Sequence, residues 1–172
     1  MSPIKCREKV TNRSHANEIF LRACAQEDQG KLSSAFRLYL AGAKLGDTGC
    51  QVNLGNFYAD GRGIKPNREA AVKWYKKAYA RGERSAASNL GAMFRDEGKF
   101  EKAVSWYERA VKLHDVDANL EIAKILLRNP KDRARAKAFL EQMQAFSEDD
   151  LTRSARKQGR QLLKRIRDKE AR

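Results

Sequence analysis

The chain has 172 residues, 36 Lys and Arg against 22 Asp and Glu, a net charge of +14, and 41% hydrophobic residues. That is long enough for a domain with its own core, and too apolar and too poor in Pro for a disordered chain. No segment approaches the roughly 18–20 apolar residues of a membrane span, and the opening "MSPIKCREKV" lacks the apolar run of a signal peptide. A cytoplasmic protein is therefore expected.

Residues 1–14 form a polar N-terminal segment without clear periodicity. From residue 15 the sequence repeats itself. Ala35, Leu38, Tyr39, Gly46, Asn53, Leu54, Gly55 and Tyr58 return 36 positions later as Ala71, Trp74, Tyr75, Gly82, Asn89, Leu90, Gly91 and Phe94. They return again, 32 positions further on, as Ala103, Trp106, Tyr107, His114, Glu121, Ile122, Ala123 and Leu126, and a fainter copy follows at Ala136, Phe139 and Leu140. Self-similarity at such a period marks a stacked repeat architecture.

Each unit reads as two helices. Leu90, Met93 and Phe94 fall at helical spacing, "RDEGK" interrupts them, and Val104, Trp106, Tyr107, Ala110 and Val111 begin a second helical pattern. The breaks hold Gly30, Gly61, Gly63 and Gly98 inside units, and Gly46 and Gly82 between them. The small residues Gly55, Gly91 and Ala123 should admit a closely packed neighbouring helix. Trp74 and Trp106 are expected to fill the space between units, and the fixed repeat position of Trp74, Tyr75, Trp106 and Tyr107 assigns these aromatics to core rather than to base stacking. The difference between 36 and 32 lies in the inner turn, "ADGRGIKPNREAA" in one copy and "RDEGKFEKA" in the next.

The solenoid so read covers 15–146, and 147–172 reads as a further, capping helix. Ser147 with Asp150 three residues on is a capping-box variant, and Leu151, Ala155, Leu162 and Ile166 lie near one face. The last 22 residues carry nine cations and two acids.

The pattern LGxxYxxGxGxxxNxxxAxxWYxKAxxxGxxxAxxNLG, from Leu54 to Gly91, resembles the Sel1-like repeat. The shorter unit with Leu90, Gly91, Phe94, Gly98, Ala103, Tyr107 and Ala110 is similar to a tetratricopeptide repeat. The resemblance implies an all-α fold: a right-handed α–α superhelical solenoid of about four helix-turn-helix repeats plus the C-terminal capping helix. It also implies that first helices line a concave groove. In this sequence that groove would present Asn53, Asn56 and Asp60, then Asn89 and Arg95, then Glu121, Lys124 and Arg128. Asn amides suit an extended backbone and Arg and Lys an acidic group. Asn53 and Asn89 can equally be structural, bonding backbone. Ser85 and Ser88 stand where a full carboxylate clamp would place cations.

The expected function is a non-enzymatic interaction module, an adaptor, scaffold or inhibitor, that binds a partner protein or peptide through the groove. The alternative is a nucleic-acid-associated protein that uses Arg153, Arg156, Lys157, Arg160, Lys164, Arg165 and Arg167 of the basic tail as an electrostatic foot. The tail lacks aromatics for stacking and has a thin apolar face, so membrane binding is not expected. Cys6, Cys24 and Cys50 have no paired spacing and read as reduced structural thiols; His15 and His114 form no metal-ligand pattern. "DGRG" at 60–63 lacks the spacing of a phosphate loop. No catalytic pair, cofactor or metal is therefore expected.

Overall fold

The computed structural model describes residues 3–146 and 151–170, with side chains from Ser14 onward. The described residues hold nine α-helices: α1 (Pro3–Asp28), α2 (Leu32–Lys44), α3 (Thr48–Asp60), α4 (Arg68–Tyr79), α5 (Arg84–Asp96), α6 (Phe100–Lys112), α7 (Ala118–Leu126), α8 (Arg133–Gln144) and α9 (Arg153–Glu170). They form four helix pairs followed by one more helix. The chain divides into two units, Met1–Glu83 and Arg84–Arg172. Residues 3–14 of the polar segment are drawn into α1, whose backbone is helical from Pro3.

Local chemistry sets the helix ends. Asp47 caps α3 by accepting a hydrogen bond from the Cys50 backbone N–H at 2.7 Å, and Asn67 caps α4 through the Ala70 N–H at 2.9 Å. At the end of α3 Gly61 adopts φ +70°, and a side-chain carbon there would also stand 2.5 Å from Pro66 Cγ. Only glycine satisfies both conditions. The expected capping box at 147–150 lies outside the described residues. The cap that α9 displays is Thr152, whose Oγ1 accepts from the Ala155 N–H at 3.2 Å.

In the first unit successive helices α1 to α4 pack neighbour on neighbour. The core gathers Ala23, Ala35, Tyr39, Ala43, Cys50, Leu54 and Phe57. Aromatic rings interlock there, with Tyr39 and Phe57 centroids 5.6 Å apart and Phe36 edge-on to Tyr58 at 5.5 Å. The buried Tyr39 hydroxyl donates to Glu27 Oε2 at 2.7 Å, and Arg62 closes on Glu27 Oε1 at 2.6 Å. Burial first, then its bonds to Cys24 and Glu27, push the Tyr39 phenol well above its ordinary range. Cys24 and Cys50 are free thiols, and Cys50 is fully buried.

In the second unit α5 packs on α6, α6 on α7, α7 on α8, and α9 on α8 and α7. Leu90, Ala103, Ala110, Ile122, Ala123, Ala136, Leu140 and Met143 are its fully buried anchors. The helix α9 buries Ala155, Gly159, Leu163 and Ile166. The register thus passes through Leu163 where the sequence suggests Leu162, and Gly159 gives the closest approach: a carbon added there would stand 2.3 Å from Met143 Cε.

The second helices α2, α4 and α6 each bury a tyrosine, and in α4 and α6 it is the tyrosine and not the adjacent tryptophan that is buried. Tyr39, Tyr75 and Tyr107 are 1%, 2% and 3% exposed. Trp74 and Trp106 are half-buried beside them, with Lys77 and Arg109 each 4.3 Å above the ring centroid. The indole at this repeat position is therefore a rim residue. Neighbours in sequence point about 100° apart on a helix, so with Tyr75 and Tyr107 aimed at the core the adjacent indole is turned toward its edge.

Candidate interaction surfaces

On α3, the amide of Asn53 donates to the Gly49 carbonyl of its own helix at 3.2 Å, so this asparagine bonds local backbone. Asn56 Oδ1 accepts from the Tyr75 hydroxyl at 2.6 Å and helps seat that buried ring. Asp60 is exposed at the end of the helix. Of this trio only Asp60 is exposed. On α5, Asn89 is half-buried and engaged within the fold.

The structure brings Arg95, Glu121 and Lys124 together. Arg95 Nη1 lies 2.7 Å from Glu121 Oε2, and Lys124 Nζ lies 2.7 Å from Glu121 Oε1. Arg95 also reaches Asp96 at 2.9 Å and donates to the Tyr107 hydroxyl at 3.4 Å. One carboxylate thus holds two cations, one on each oxygen, across the faces of α5 and α7. Burial pushes the Tyr107 phenol up to about 12; the positive charge of Arg95 opposes that rise, and the carboxylates of Glu121, Asp96 and Asp115 add to it. Beside this cluster lies a shallow hollow of about 260 Å³ lined by Ser88, Tyr107, Glu121, Lys124 and, from α9, Ser154 and Gln158. The Ser88 hydroxyl is committed to Asp115.

Arg128 leaves this group. Its guanidinium stacks 4.2 Å above the Phe100 ring, and it lines a different cleft with Arg133 and Arg165.

The basic tail separates into distinct faces. Arg153, Lys157, Arg160, Lys164 and Arg167 recur at intervals of four and three and form one exposed stripe along α9. Arg156 is half-buried and engaged. Arg165, with Lys169, falls on another side, toward the cleft at the end of α7. Arg167 sits 4.0 Å from Glu141, and Lys137 pairs with Glu170 at 2.8 Å. The sequence alone assigns Arg128 to the groove and Arg165 to the basic tail, and singles out neither Arg133 nor Lys169. Only the charge spacing 128, 133, 165 and 169 hints at them, and only once α9 is known to fold back on α8.

Among the described residues no helix is long and apolar enough to cross a membrane, and no group of His, Cys, Asp and Glu is placed to hold a metal ion.

The Sel1 repeat family model matches residues 31–47, 49–83 and 85–115. No curated protein matches the chain. Among solved structures, a Sel1 repeat protein from Oxalobacter formigenes is similar at 24% identity with a TM-score of 0.64, over 90% of this chain and 63% of that one. The protective antigen c5321 of uropathogenic Escherichia coli, which displays an SLR fold, is similar at 22% identity with a TM-score of 0.58, over 68% of this chain and 27% of that one. The chain therefore spans less than two thirds of the length of either structure. These likenesses place the fold in the α–α solenoid class expected from the repeat. Repeat anchors, helix pairs and family match agree, and residues 31–115 of the chain are Sel1 repeats.

Proposed function

We propose that this chain is a non-enzymatic adaptor, scaffold or inhibitor that holds a partner protein through the first-helix faces of its repeats. Sel1 repeats generally serve protein–protein interaction. The observation that carries the reading is the Arg95–Glu121–Lys124 cluster on α5 and α7. Its members keep 38%, 25% and 40% of their side-chain surface exposed, so the ion pairs are open to solvent. Such pairs contribute only about 0–1 kcal/mol to stability. They can therefore be exchanged for a partner's carboxylate or backbone without harm to the fold. Asn89 and Asp60 lie on the corresponding first-helix faces and extend the surface in each unit.

The test is affinity capture with the tagged chain, with nuclease present, followed by purification of one stoichiometric partner and titration of the pair. Arg95→Glu together with Lys124→Glu should weaken that partner by about tenfold or more, one such factor being 1.4 kcal/mol, while circular dichroism stays unchanged. Unaltered affinity in a folded double variant would refute the groove assignment.

A further inference from the structure

A second hollow of the second unit lies apart from the expected groove. It is a cleft of about 630 Å³ between the end of α7, the start of α8 and the last two turns of α9. Leu127, Leu162 and the buried Ile166 supply an apolar lining. Around them stand Arg128, Arg133, Arg165 and Lys169, with Asp168 the only carboxylate of the lining. None of these five charged residues forms an ion pair with another described residue, and Arg128 is held only by its stacking on Phe100. Four cations against one acid around an apolar floor leave an excess of three positive charges with no internal use.

We infer that this cleft is a docking site for an acidic protein segment that carries an apolar anchor side chain. The proposal adds a second surface and a partner chemistry to the protein-binding reading, on which it rests. A cavity of several hundred Å³ with an apolar floor and a few convergent polar groups is the form that ligand sites take. The combination of anchor pocket and charged rim is how protein interfaces concentrate their affinity. Three of the four cations are Arg, whose planar fork matches carboxylates in pairs. A nucleic-acid backbone satisfies the cations but leaves the apolar floor uncovered, and the lining has no aromatic ring on which a base could stack. The exposed stripe Arg153, Lys157, Arg160, Lys164 and Arg167 is the better match to a phosphate backbone, and it serves as the internal control.

The probe is a short fluorescein-labelled peptide of Asp and Glu with one Leu and one Phe four positions apart; its twin carries Ser at both apolar positions. The full chain should bind the first about tenfold more tightly than the twin at physiological salt, a difference of 1.4 kcal/mol. Arg133→Glu with Arg165→Glu should weaken the first peptide by about tenfold or more. Leu162→Ala should erase the preference between the two peptides and leave the weaker, charge-driven binding in place. Arg153→Glu with Lys157→Glu should change binding by less than about threefold, since those charges lie about 12 Å or more along α9 from Arg165, at about 1.5 Å per residue, beyond the screening length of about 8 Å. Circular dichroism checks that each variant is folded.

Equal affinity for the two peptides, or an equal loss on reversing the stripe, would overturn the proposal. So would a short DNA duplex that displaces the peptide and loses affinity with the cleft variants. Absence of peptide binding would refute the cleft and leave the groove reading standing, because its test turns on Arg95 and Lys124.

Discussion

Tyr107 lies directly on Gly91: a side-chain carbon added to Gly91 would stand 2.8 Å from Tyr107 Cδ1, and the same construction at Gly55 meets Tyr75 Cε1 at 2.5 Å. The repeat's first-helix glycine is thus the seat of the second-helix tyrosine. Its value is the absence of a Cβ at a helix–helix contact. The obstacle is a ring packed at 3% exposure, which cannot swing aside as a flexible chain end can. Gly91→Leu should therefore overpack the α5–α6 contact and cost roughly 1–3 kcal/mol. A urea titration of the variant checks this, and an unchanged midpoint would show that the ring is free to move.

The neighbouring aromatics of α6 differ in burial, and so should their truncations. Tyr107→Ala removes a buried ring and should cost about 3–5 kcal/mol, the range for large aromatic deletions. Trp106 is half-buried under the Arg109 guanidinium, and Trp106→Ala should cost clearly less, about 1–2 kcal/mol. The order of the two denaturation midpoints is the readout; the reverse order would restore tryptophan as the core residue.

His114 occupies the repeat position of Gly46 and Gly82 and adopts φ +64°, the one non-glycine positive φ among the described residues. A side chain in the left-handed region costs about 1–2 kcal/mol, and glycine returns about 0.5–1 kcal/mol of that through its freer unfolded chain. His114→Gly should thus stabilise the chain by about 0.5–1 kcal/mol. The bond from Arg84 to the His114 carbonyl uses backbone and survives the change. Thermal melting checks the sign, and a lowered midpoint would mean that the imidazole makes a contact worth more than the strain.

Alkaline pH should destabilise both units. Burial, with the Asp47 carboxylate beside it, raises the Cys50 thiol well above its ordinary 9.0, and Tyr39 and Tyr107 are raised above their ordinary 10.0. The folded state then holds protons that the unfolded state releases. Stability is full below the unfolded values and falls as pH rises past 9.0 for the thiol and from 10.0 toward about 12 for Tyr107. Urea midpoints measured from neutral pH upward should decline from about pH 9. In a native ultraviolet titration the phenols of Tyr39 and Tyr107 should ionise above the ordinary tyrosine value of 10.0. A flat midpoint through this range would contradict the burial of all three groups.

The fold was legible because its determinants are local and repeated. Ala35, Ala71 and Ala103 recur at one position and are all fully buried, as are Leu54, Leu90 and Ile122 at another. The interaction surfaces were legible only in part, because their chemistry depends on long-range pairing. Glu121 could be assigned to a first-helix face, but its two cations could not: Arg95 is 26 positions away and arrives only through the packing of α5, α6 and α7. Asn53 shows the opposite limit, since a polar residue on the expected face bonds its own helix and offers less than its position promises. The return of α9 onto the last repeat was expected of a capping helix, but its register was not, and that register is what joins Arg133 and Arg165 in one cleft.

That return also changes what the basic tail is. Gly159 meets chiefly the far end of the flexible Met143 side chain, with Leu140 at ordinary contact distance, so Gly159→Ala should be near neutral, the displaced methyl being offset by a better helix former, a gain of up to about 1 kcal/mol. Removing residues 151–172 is different. Leu140 and Met143 are fully buried, and α9 sets Leu163 and Ile166 into the same core. Each such side chain is worth about 1.5–3 kcal/mol of burial, so the truncated chain should lose several kcal/mol and bind a hydrophobic dye. Loss of a ligand on truncation would then report unfolding as readily as lost charge. Reversal of exposed cations separates the two, since single exposed charges alter stability by only about 0.5 kcal/mol. If the truncated chain instead melts as the full one does, α9 is a charged appendage and not a cap.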